Sequence, residues 1–314
     1  MRRWLLWGIV IGGLCILSSF LKDYTLYVAS LTLVHIILAI GLNITLGYAG
    51  QVSLCHASFF GIGAYTMALL LAQGWSFWIV LPLSGLVASF FGAIVGFPAL
   101  RWKDHYLALI TLGFNVIVFL VMLQEGWLTG GPTGVTGISR PSIGALTFTP
   151  DLNYYYLLLF FGILAFASSY WIATSKWGRA FTSIRLNEVA AQAHGVSLRN
   201  YKLLAFAIGA FYAGVGGGLF APLLRYISPD AFTFFISLEF LVMVVIGGMG
   251  RIEGPIIGAI IVTMGPEVLR MAQSVYLIIY SLLLILVMLF MREGLVVVVD
   301  RIRGSIPALI RTRR

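Results

Sequence analysis

The chain has 314 residues, of which 60% are hydrophobic and only 10% are charged, and its mean hydropathy is +1.00. A soluble domain carries about 25% charged residues, so this composition excludes an ordinary soluble protein and indicates a polytopic membrane protein. The net charge of +9 does not indicate a nucleic-acid partner, because the basic residues lie at the ends of apolar segments and in the C-terminal tail. Orientation in the membrane and anionic lipid headgroups explain such positions.

Apolar segments follow one another along the whole chain and predict an all-α polytopic membrane protein with about ten transmembrane helical segments, since one span takes roughly 20 apolar residues. They leave no room for a soluble catalytic domain. The segments lie at about 4–21, 24–46, 54–73, 76–100, 106–124, 153–174, 203–224, 236–250, 255–269 and 275–291. The first segment lacks an A-x-A cleavage site before Lys22, so we predict a retained span rather than a signal peptide. Residues 1–314 are expected to form one transmembrane domain.

The distribution of basic residues predicts the orientation of these segments. With the N-terminus inside the cell, every Lys and Arg lies on the inner side except for four, which are Lys22, Arg140, Arg225 and Arg270. An excess of basic residues in short loops marks the cytoplasmic side of a membrane protein. Both termini, including the basic tail 292–314, are therefore predicted to be cytoplasmic.

Segments 236–250 and 255–269 are short, because Gly247-Gly248-Met249-Gly250 and Pro255 interrupt the apolar run. A single crossing here would place the arginine-rich tail outside, against the usual charge bias. We keep two segments and leave open whether each of them crosses fully. Interrupted helices at membrane depth need protein or a water-filled cavity around the freed backbone.

Glycines are placed where helices could approach closely. Gly61 and Gly63 lie in one predicted span, and a second span holds Gly209, Gly214, Gly216, Gly217 and Gly218. Small residues of this kind let helix backbones come into contact. The stretches 46–52 and 246–252 share a G-x-x-G-polar-aliphatic pattern, which is either a structural repeat of the kind found in transporters or chance similarity.

The polar loop 175–202 stands alone between long apolar runs. Five of the chain's 20 basic residues lie in it, and Glu188 is its one acid. We predict one short amphipathic helix from Thr182 to Gly195, with Ile184, Val189 and Ala193 along one side. Such a helix on the inner face either receives force from a soluble partner or lies on lipid headgroups.

Motifs for chemistry are missing from the sequence. No lysine follows a glycine, so there is no Walker A loop, and neither a nucleophile motif nor a zinc spacing occurs. Cys15 and Cys55 are interpreted as small apolar residues. We therefore expect no enzyme activity, no metal and no cofactor in this chain.

Few ionisable groups lie inside the apolar spans, and these and the asparagines within them are candidates for function. His35 is interpreted as a hydrogen-bonding group between helices. Glu239 is the one acid among these candidates and is either a structural acid or part of a pathway, whereas a proton- or sodium-driven carrier usually has paired ones. The remaining candidates are His56, Asn43 and Asn115. Because these candidates include no pair of acids that could bind a driving ion, the energy for any transport should come from another molecule.

The outer loop 125–153 contains Leu128-Thr129-Gly130-Gly131-Pro132-Thr133-Gly134, whose Gly and Pro residues indicate turns. It is interpreted either as a plain connector or as a gate or landing surface for an external binding protein.

Stretch 188–195, E-V-A-A-Q-A-H-G, resembles the E-x-A-A-x-x-x-G core of the cytoplasmic loop in bacterial ABC importer permeases. The whole chain is similar to branched-chain amino-acid ABC transporter permeases of the LivM type. The matching segments are 41–65, 106–113, 128–134, 195–206, 227–234 and 247–259. The chain departs from that family at Cys55, where a glycine is usual, at 103–106, and in lacking the proline that closes the wider loop motif.

The resemblance implies a multi-pass permease subunit of the bacterial inner membrane. Its partners would be a homologous second permease, two ATP-binding subunits that bind the ATP and Mg²⁺, and a periplasmic binding protein. The residues implied to couple transport to the ATPase are Arg185, Glu188, Ala190, Ala191 and Gly195. The residues available to the zwitterionic ends of Leu, Ile or Val are Asn43, Gln51, Ser53, His56, Asn115 and Glu239. Family members for urea, short amides or other amino acids remain alternatives, and a stand-alone carrier or channel is a more remote one.

Overall fold

The computed structural model describes residues 22–99, 104–143, 146–148 and 151–269, and this part of the chain is mainly helical. The helices are α1 (Asp23–Leu42), α2 (His56–Ala72), α3 (Phe77–Ala99), α4 (Asp104–Gln124), α5 (Gly126–Thr129), α6 (Asp151–Thr174), α7 (Lys176–Leu186), α8 (Glu188–Ala193), α9 (Leu198–Leu224), α10 (Phe234–Gly247) and α11 (Gly254–Leu269). A π-helical turn, Asn43–Tyr48, extends α1. Short 3₁₀ turns lie at Gly131–Thr133 and Pro229–Phe232.

The predicted apolar segments between residues 24 and 269 each correspond to a helix. Five helices are long and apolar enough to cross a membrane, and they are Asp23–Tyr48, Phe77–Pro98, Tyr106–Gln124, Asp151–Thr174 and Leu198–Leu224. The helices α2, α10 and α11 are shorter apolar helices. The predicted segments 4–21 and 275–291 and the basic tail 292–314 lie outside the described residues. The total of about ten crossings therefore stays a prediction.

Helices α1 and α9 form the centre of the bundle. Their most apolar windows are 72% and 67% buried, whereas that of α4 is only 22% buried. Apolar side chains on α4, such as Leu109 and Ile117, are exposed. Because a membrane helix exposes apolar side chains to lipid, α4 lies at the periphery of the described part of the chain.

Glycines allow a close helix contact where α2 crosses α9. A Cβ added to Gly63 would lie 2.5 Å from the Cα of Gly214, and one added to Gly217 would lie 2.6 Å from the backbone N of Ala64. The two backbones therefore touch, as predicted for small residues at a helix interface. Gly61 instead faces side chains, with the ring of Phe232 2.8 Å from its added Cβ.

The helix ends gather at two opposite ends of the bundle. At one end, the Tyr24 hydroxyl donates to the Glu267 carboxylate at 2.7 Å, which joins the start of α1 to the end of α11. The same end carries the loop after α4, whose strand β1 (Val135–Thr136) pairs antiparallel with β4 (Tyr226–Ile227) after α9. Strands β2 (Ser142–Ile143) and β3 (Leu146–Thr147) form a second antiparallel pair in that loop. The turns after α1 and α10 and the polar loop lie at the opposite end.

The prediction of a single helix from Thr182 to Gly195 is wrong, because the loop contains the two helices α7 and α8. Asn187 separates them with an extended backbone, φ −162° and ψ 109°. Ile184 is buried, whereas Val189 is 79% exposed, so the predicted common apolar side does not exist. The extended backbone of Asn187 interrupts the helix. The side chains after it therefore no longer follow the helical spacing of the residues before it.

Candidate functional site

Helix α7 is fixed to the bundle by its own apolar face. The Ser175 side chain caps its start by accepting from the Trp177 backbone N–H at 3.1 Å. Phe181 and Ile184 are buried, and the Phe181 ring lies edge-on to Tyr201 of α9, with the ring centroids 6.3 Å apart. The apolar face of α7 therefore rests on protein rather than on lipid headgroups.

Helix α8 holds most of the predicted coupling residues. Glu188, at its first position, accepts a charged hydrogen bond at 2.6 Å from Lys202 of α9. Ala191 is buried and Ala190 is exposed. The Glu188 carboxylate thus ties α8 to α9 within this chain. An ion pair of this kind between partly exposed groups is worth about 1 kcal/mol or less.

Gly195 ends α8 as predicted. Its φ is +80°, in the left-handed region that favours glycine, and open space surrounds the position of a Cβ. The Val196 N–H donates to the Ala191 carbonyl at 3.1 Å, and the Gly195 N–H donates to the Gln192 carbonyl at 3.0 Å. This pair of hydrogen bonds is the Schellman arrangement that closes many helices.

The two short helices present apolar side chains to the outside. Leu186 at the end of α7 is 76% exposed, and Val189 on α8 is 79% exposed. They flank Asn187 and are close in sequence to Arg179 and Lys176, which are also exposed. Their exposure makes these two side chains candidates for a contact with another protein.

Arg185 is exposed, but its guanidinium reaches back to the end of the bundle. Its guanidinium donates to the backbone carbonyl of Gly47, in the turn after α1. Its side-chain stem lies beside Gly50, where an added Cβ would be 2.9 Å from the Arg185 Cγ. Arg185, a predicted coupling residue, therefore contacts the turn that leads to the predicted pathway residues Gln51 and Ser53.

The predicted pathway residues do not gather in one place. Asn43 is buried, and its amide bonds both to the Arg251 carbonyl and to the Gly250 N–H, each at 2.9 Å. The His56 ring nitrogen Nε2 lies 2.9 Å from the Leu38 carbonyl. Asn43 lies at the end of the bundle that carries the polar loop, whereas His56 joins the start of α2 to the middle of α1.

A second group of polar residues surrounds the start of α2. The Asn115 amide donates to the Ser237 hydroxyl at 3.2 Å, and this hydroxyl also accepts from the Ala57 N–H at 2.9 Å. The Thr111 hydroxyl accepts from the Leu54 N–H at 3.1 Å. Helix α4 therefore holds the loop before α2, and helix α10 holds the first turn of α2, by hydrogen bonds. Sequence reasoning missed Ser237 and Thr111, because a lone hydroxyl in an apolar span carries no distinguishing signal.

Some polar atoms near this loop have no hydrogen-bond partner among the described residues. They are both amide atoms of Gln51, the Asn115 Oδ1 atom and the Ser58 hydroxyl, and all are buried. The Ser53 hydroxyl lies 3.4 Å from the Cys55 sulfur. Glu239 of α10 is partly buried. Buried polar atoms without partners cost about 1–3 kcal/mol each, so they mark places where water, a ligand or movement matters.

His35 joins two helices, as the sequence predicts. Its Nδ1 atom lies 2.8 Å from the Thr263 hydroxyl of α11, and its ring stands edge-on to Phe240 of α10. These contacts connect the middle of α1 to α10 and to α11.

The fold and the loop define the class of this protein, which is a multi-pass α-helical membrane protein with a structured polar loop at one end of its bundle. Residues 24–291 match the family described as branched-chain amino acid transport system / permease component. The chain belongs to this family.

Relatives of known name support the assignment. The chain is 36% identical over 295 residues to the high-affinity branched-chain amino acid transport system permease protein LivM of Escherichia coli. The alignment covers 86% of this chain and 69% of that protein. It is 25% identical over 294 residues to the permease protein LivH of the corresponding Salmonella typhimurium system, with 83% and 90% covered. It is 26% identical over 260 residues to the autoinducer 2 import system permease protein LsrC of Shigella flexneri, with 79% and 72% covered. No solved structure matches the chain.

Proposed function

We propose that this chain is the membrane-spanning subunit of an ATP-driven importer of the branched-chain amino acids Leu, Ile and Val. The observation that carries the proposal is the family match over residues 24–291, together with 36% identity to a permease named for these substrates. The sequence has no Walker A loop, so ATP binding and hydrolysis belong to separate subunits.

The partners in this proposal are a homologous second permease, two ATP-binding subunits and a periplasmic binding protein. The ATP-binding subunit docks on α7 and α8, where Leu186 and Val189 are exposed. Glu188, Ala191 and Gly195 shape that surface through the ion pair, the buried contact and the glycine turn described above. A partner moves the spans only by binding one of their states more tightly than the other.

The orientation in this proposal follows from the charges. The polar loop 175–202 and both termini face the cytoplasm of a bacterial cell, and the protein lies in the inner membrane. The substrate passes near the start of α2, where Gln51 and Asn115 hold buried polar atoms without partners among the described residues. Amide groups of this kind suit the zwitterionic ends of an amino acid.

A reconstitution experiment tests the proposal. The tagged chain is purified from its native membrane with whatever subunits accompany it and placed in proteoliposomes with ATP on the loop side. We expect ATP-dependent uptake of radiolabelled leucine that needs the binding protein. Competition by excess isoleucine, urea, acetamide or phenylalanine identifies the substrate class, and uptake by this chain alone without ATP would establish a carrier or channel instead.

A charge exchange tests the role of α8 in coupling. Glu188→Lys places two cations together on α8 and α9, which weakens the local structure by about 1 kcal/mol. We expect this variant to keep its place in the complex but to hydrolyse ATP without matching uptake. The double variant Glu188→Lys/Lys202→Glu restores the ion pair and should restore coupling, and normal uptake in the single variant would refute the role.

A further inference from the structure

Two glycine turns of similar sequence meet at the end of the bundle that carries the polar loop. They are residues 46–52, between α1 and α2, and residues 246–252, between α10 and α11, and we call them the paired glycine turns. Gly50 and Gly250 occupy equivalent positions in the shared pattern. Both have left-handed backbones, with φ of +71° and +74°. The resemblance between the two stretches therefore extends to backbone conformation, and each turn reverses a pair of apolar helices.

The paired glycine turns are bound to each other. The amide of Asn43, three residues before the first turn, donates to the Arg251 carbonyl and accepts from the Gly250 N–H, each at 2.9 Å. A Cβ added to Gly47 would lie 2.5 Å from the Gly250 backbone N, so the backbones are in direct contact there. The α1–α2 and α10–α11 hairpins consequently share one contact at this end.

Arg185 of α7 reaches both turns. Its guanidinium donates to the Gly47 carbonyl. A Cβ added to Gly50 would lie 2.9 Å from the Arg185 Cγ, and one added to Gly250 would lie 3.3 Å from the Arg185 Cζ. The side chain therefore lies between the two equivalent glycines, where any larger residue would displace it.

We propose that Arg185, held between the paired glycine turns, is the positioning residue through which a displacement of α7 and α8 moves both helix hairpins together. The polar loop is joined along the chain to α6 and α9 but not to these hairpins, so a non-covalent contact has to carry the movement to them. A guanidinium provides several donors in a fixed plane, and its hydrogen bonds resist a change of direction more than those of an ammonium group. The inference rests on the proposed function, because it presumes an ATP-binding subunit that moves the loop.

The first test removes the guanidinium in the complete transporter in proteoliposomes. Arg185→Ala should keep ATP hydrolysis within about twofold of the unmodified complex but lower leucine uptake per ATP by about tenfold or more, the scale of one charge-assisted hydrogen bond. Arg185→Lys should also be impaired. Arg199→Ala is the matched control, because Arg199 lies in the same polar loop but at the start of α9, outside the proposed docking surface, and its guanidinium lies over the Phe97 ring, 4.1 Å from the ring centroid.

The second test changes the turns. Gly50→Ala and Gly250→Ala each place a Cβ at a left-handed position beside Arg185, whereas Gly74→Ala meets a φ of +85° with open space around the Cβ. All three variants carry a similar backbone strain, because alanine is disfavoured at a left-handed φ. We expect only the first two to lower uptake per ATP.

A third measurement does not depend on transport. Hydrogen–deuterium exchange of the purified complex should become faster in both paired glycine turns in Arg185→Ala and stay unchanged in Arg199→Ala. If neither turn changes, the inference is refuted even when the complex transports leucine. If Arg185→Ala abolishes ATP hydrolysis and uptake equally, Arg185 acts at the ATPase contact and the inference fails. If the unmodified complex shows no ATP-driven uptake, the proposed function fails, and the exchange result still decides whether Arg185 holds the turns.

Discussion

Asn187 is the residue at which the polar loop changes direction between α7 and α8. Its backbone is extended, and its side-chain oxygen accepts from the Ala190 N–H at 3.0 Å. Asparagine is among the preferred residues at the start of a helix, because its short side chain can satisfy a backbone N–H that has no partner in the helix. The cap lets α8 begin on a new axis with Leu186 and Val189 exposed on either side of the break.

Replacing Asn187 by alanine removes this cap. We expect Asn187→Ala to destabilise α8 by about 1 kcal/mol and to accelerate hydrogen–deuterium exchange in residues 188–193 about fivefold. Asn187→Ser keeps a capping oxygen and should exchange like the unmodified chain. Equal exchange in the alanine variant would mean that tertiary contacts alone hold α8.

Arg140 fixes the long loop at the opposite end of the bundle. Its side chain is only 6% exposed and forms an ion pair with Asp151 at 2.5 Å. Its guanidinium lies over the ring of Tyr154, 5.0 Å from the ring centroid, and the Tyr154 hydroxyl donates to the Leu219 carbonyl at 2.7 Å. One side chain thus connects the loop to the start of α6 and, through Tyr154, to α9.

Loss of this guanidinium should loosen the loop. We expect Arg140→Gln to cost about 1–3 kcal/mol, the scale of a hydrogen bond to a charged group, and to make residues 125–143 the first site of limited proteolysis in detergent. Lys22→Gln removes one charge from an exposed position at the same end and should leave the cleavage pattern unchanged. Identical patterns in both variants would contradict the anchoring role.

Single residues were predictable from sequence only where local chemistry decides their conformation. Gly195 ends a helix as predicted, and His35 joins helices as predicted. The break at Asn187 was not predictable, because asparagine is accepted inside helices as well as at their starts. The burial of Ile184 and Ala191 on two differently directed helices settles the choice, and this depends on packing that the sequence does not reveal.

At the scale of whole helices, the crossing of α2 and α9 depends on glycine on both sides. Gly63 and Gly214 touch through their backbones, and Gly217 meets the next turn of α2 at Ala64. In a membrane, helices gain no hydrophobic free energy by associating with each other, so close van der Waals packing carries much of the stability. The crossing is therefore sensitive to a single added methyl group.

A methyl group at Gly63 should force the two helices apart. We expect Gly63→Ala to destabilise the chain by about 1–3 kcal/mol, as overpacked cores do, and to lower its melting temperature in detergent. Gly113→Ala on α4 is the matched control, because its added Cβ meets open space, and alanine there should be neutral or slightly stabilising. A melting temperature equal to that of the unmodified chain in Gly63→Ala would refute the close crossing.

The positions of the helices followed from hydropathy, because an apolar run in a membrane protein has to be helical to satisfy its backbone. The end of α10 and the start of α11 were also predicted, since Gly247 to Gly250 and Pro255 interrupt the run. Which polar residues would meet was not predictable. Asn43 and Asn115 belong to two separate hydrogen-bond networks. The rotation of each helix about its axis decides where its side chains point, and hydropathy does not fix that rotation.

Across the whole molecule, the described helices run between two opposite ends. One end carries the Tyr24–Glu267 hydrogen bond and the pairing of Val135–Thr136 with Tyr226–Ile227. The other end carries the polar loop and the paired glycine turns. The basic residues of the polar loop predict that this second end faces the cytoplasm, by the usual charge bias.

Cysteine accessibility tests this orientation directly. In a chain with Cys15 and Cys55 replaced by alanine, one new cysteine is placed at Gln192 in α8 or at Thr136 in β1, both exposed positions. A membrane-impermeant maleimide should label Thr136→Cys in spheroplasts and Gln192→Cys only in inverted vesicles, because short loops rich in Lys and Arg stay on the cytoplasmic side. Ala213→Cys, fully buried in α9, should remain unlabelled in both preparations. The reverse pattern would place the polar loop outside the cell, where no ATP-binding subunit could reach it, and would overturn both the orientation and the proposed coupling.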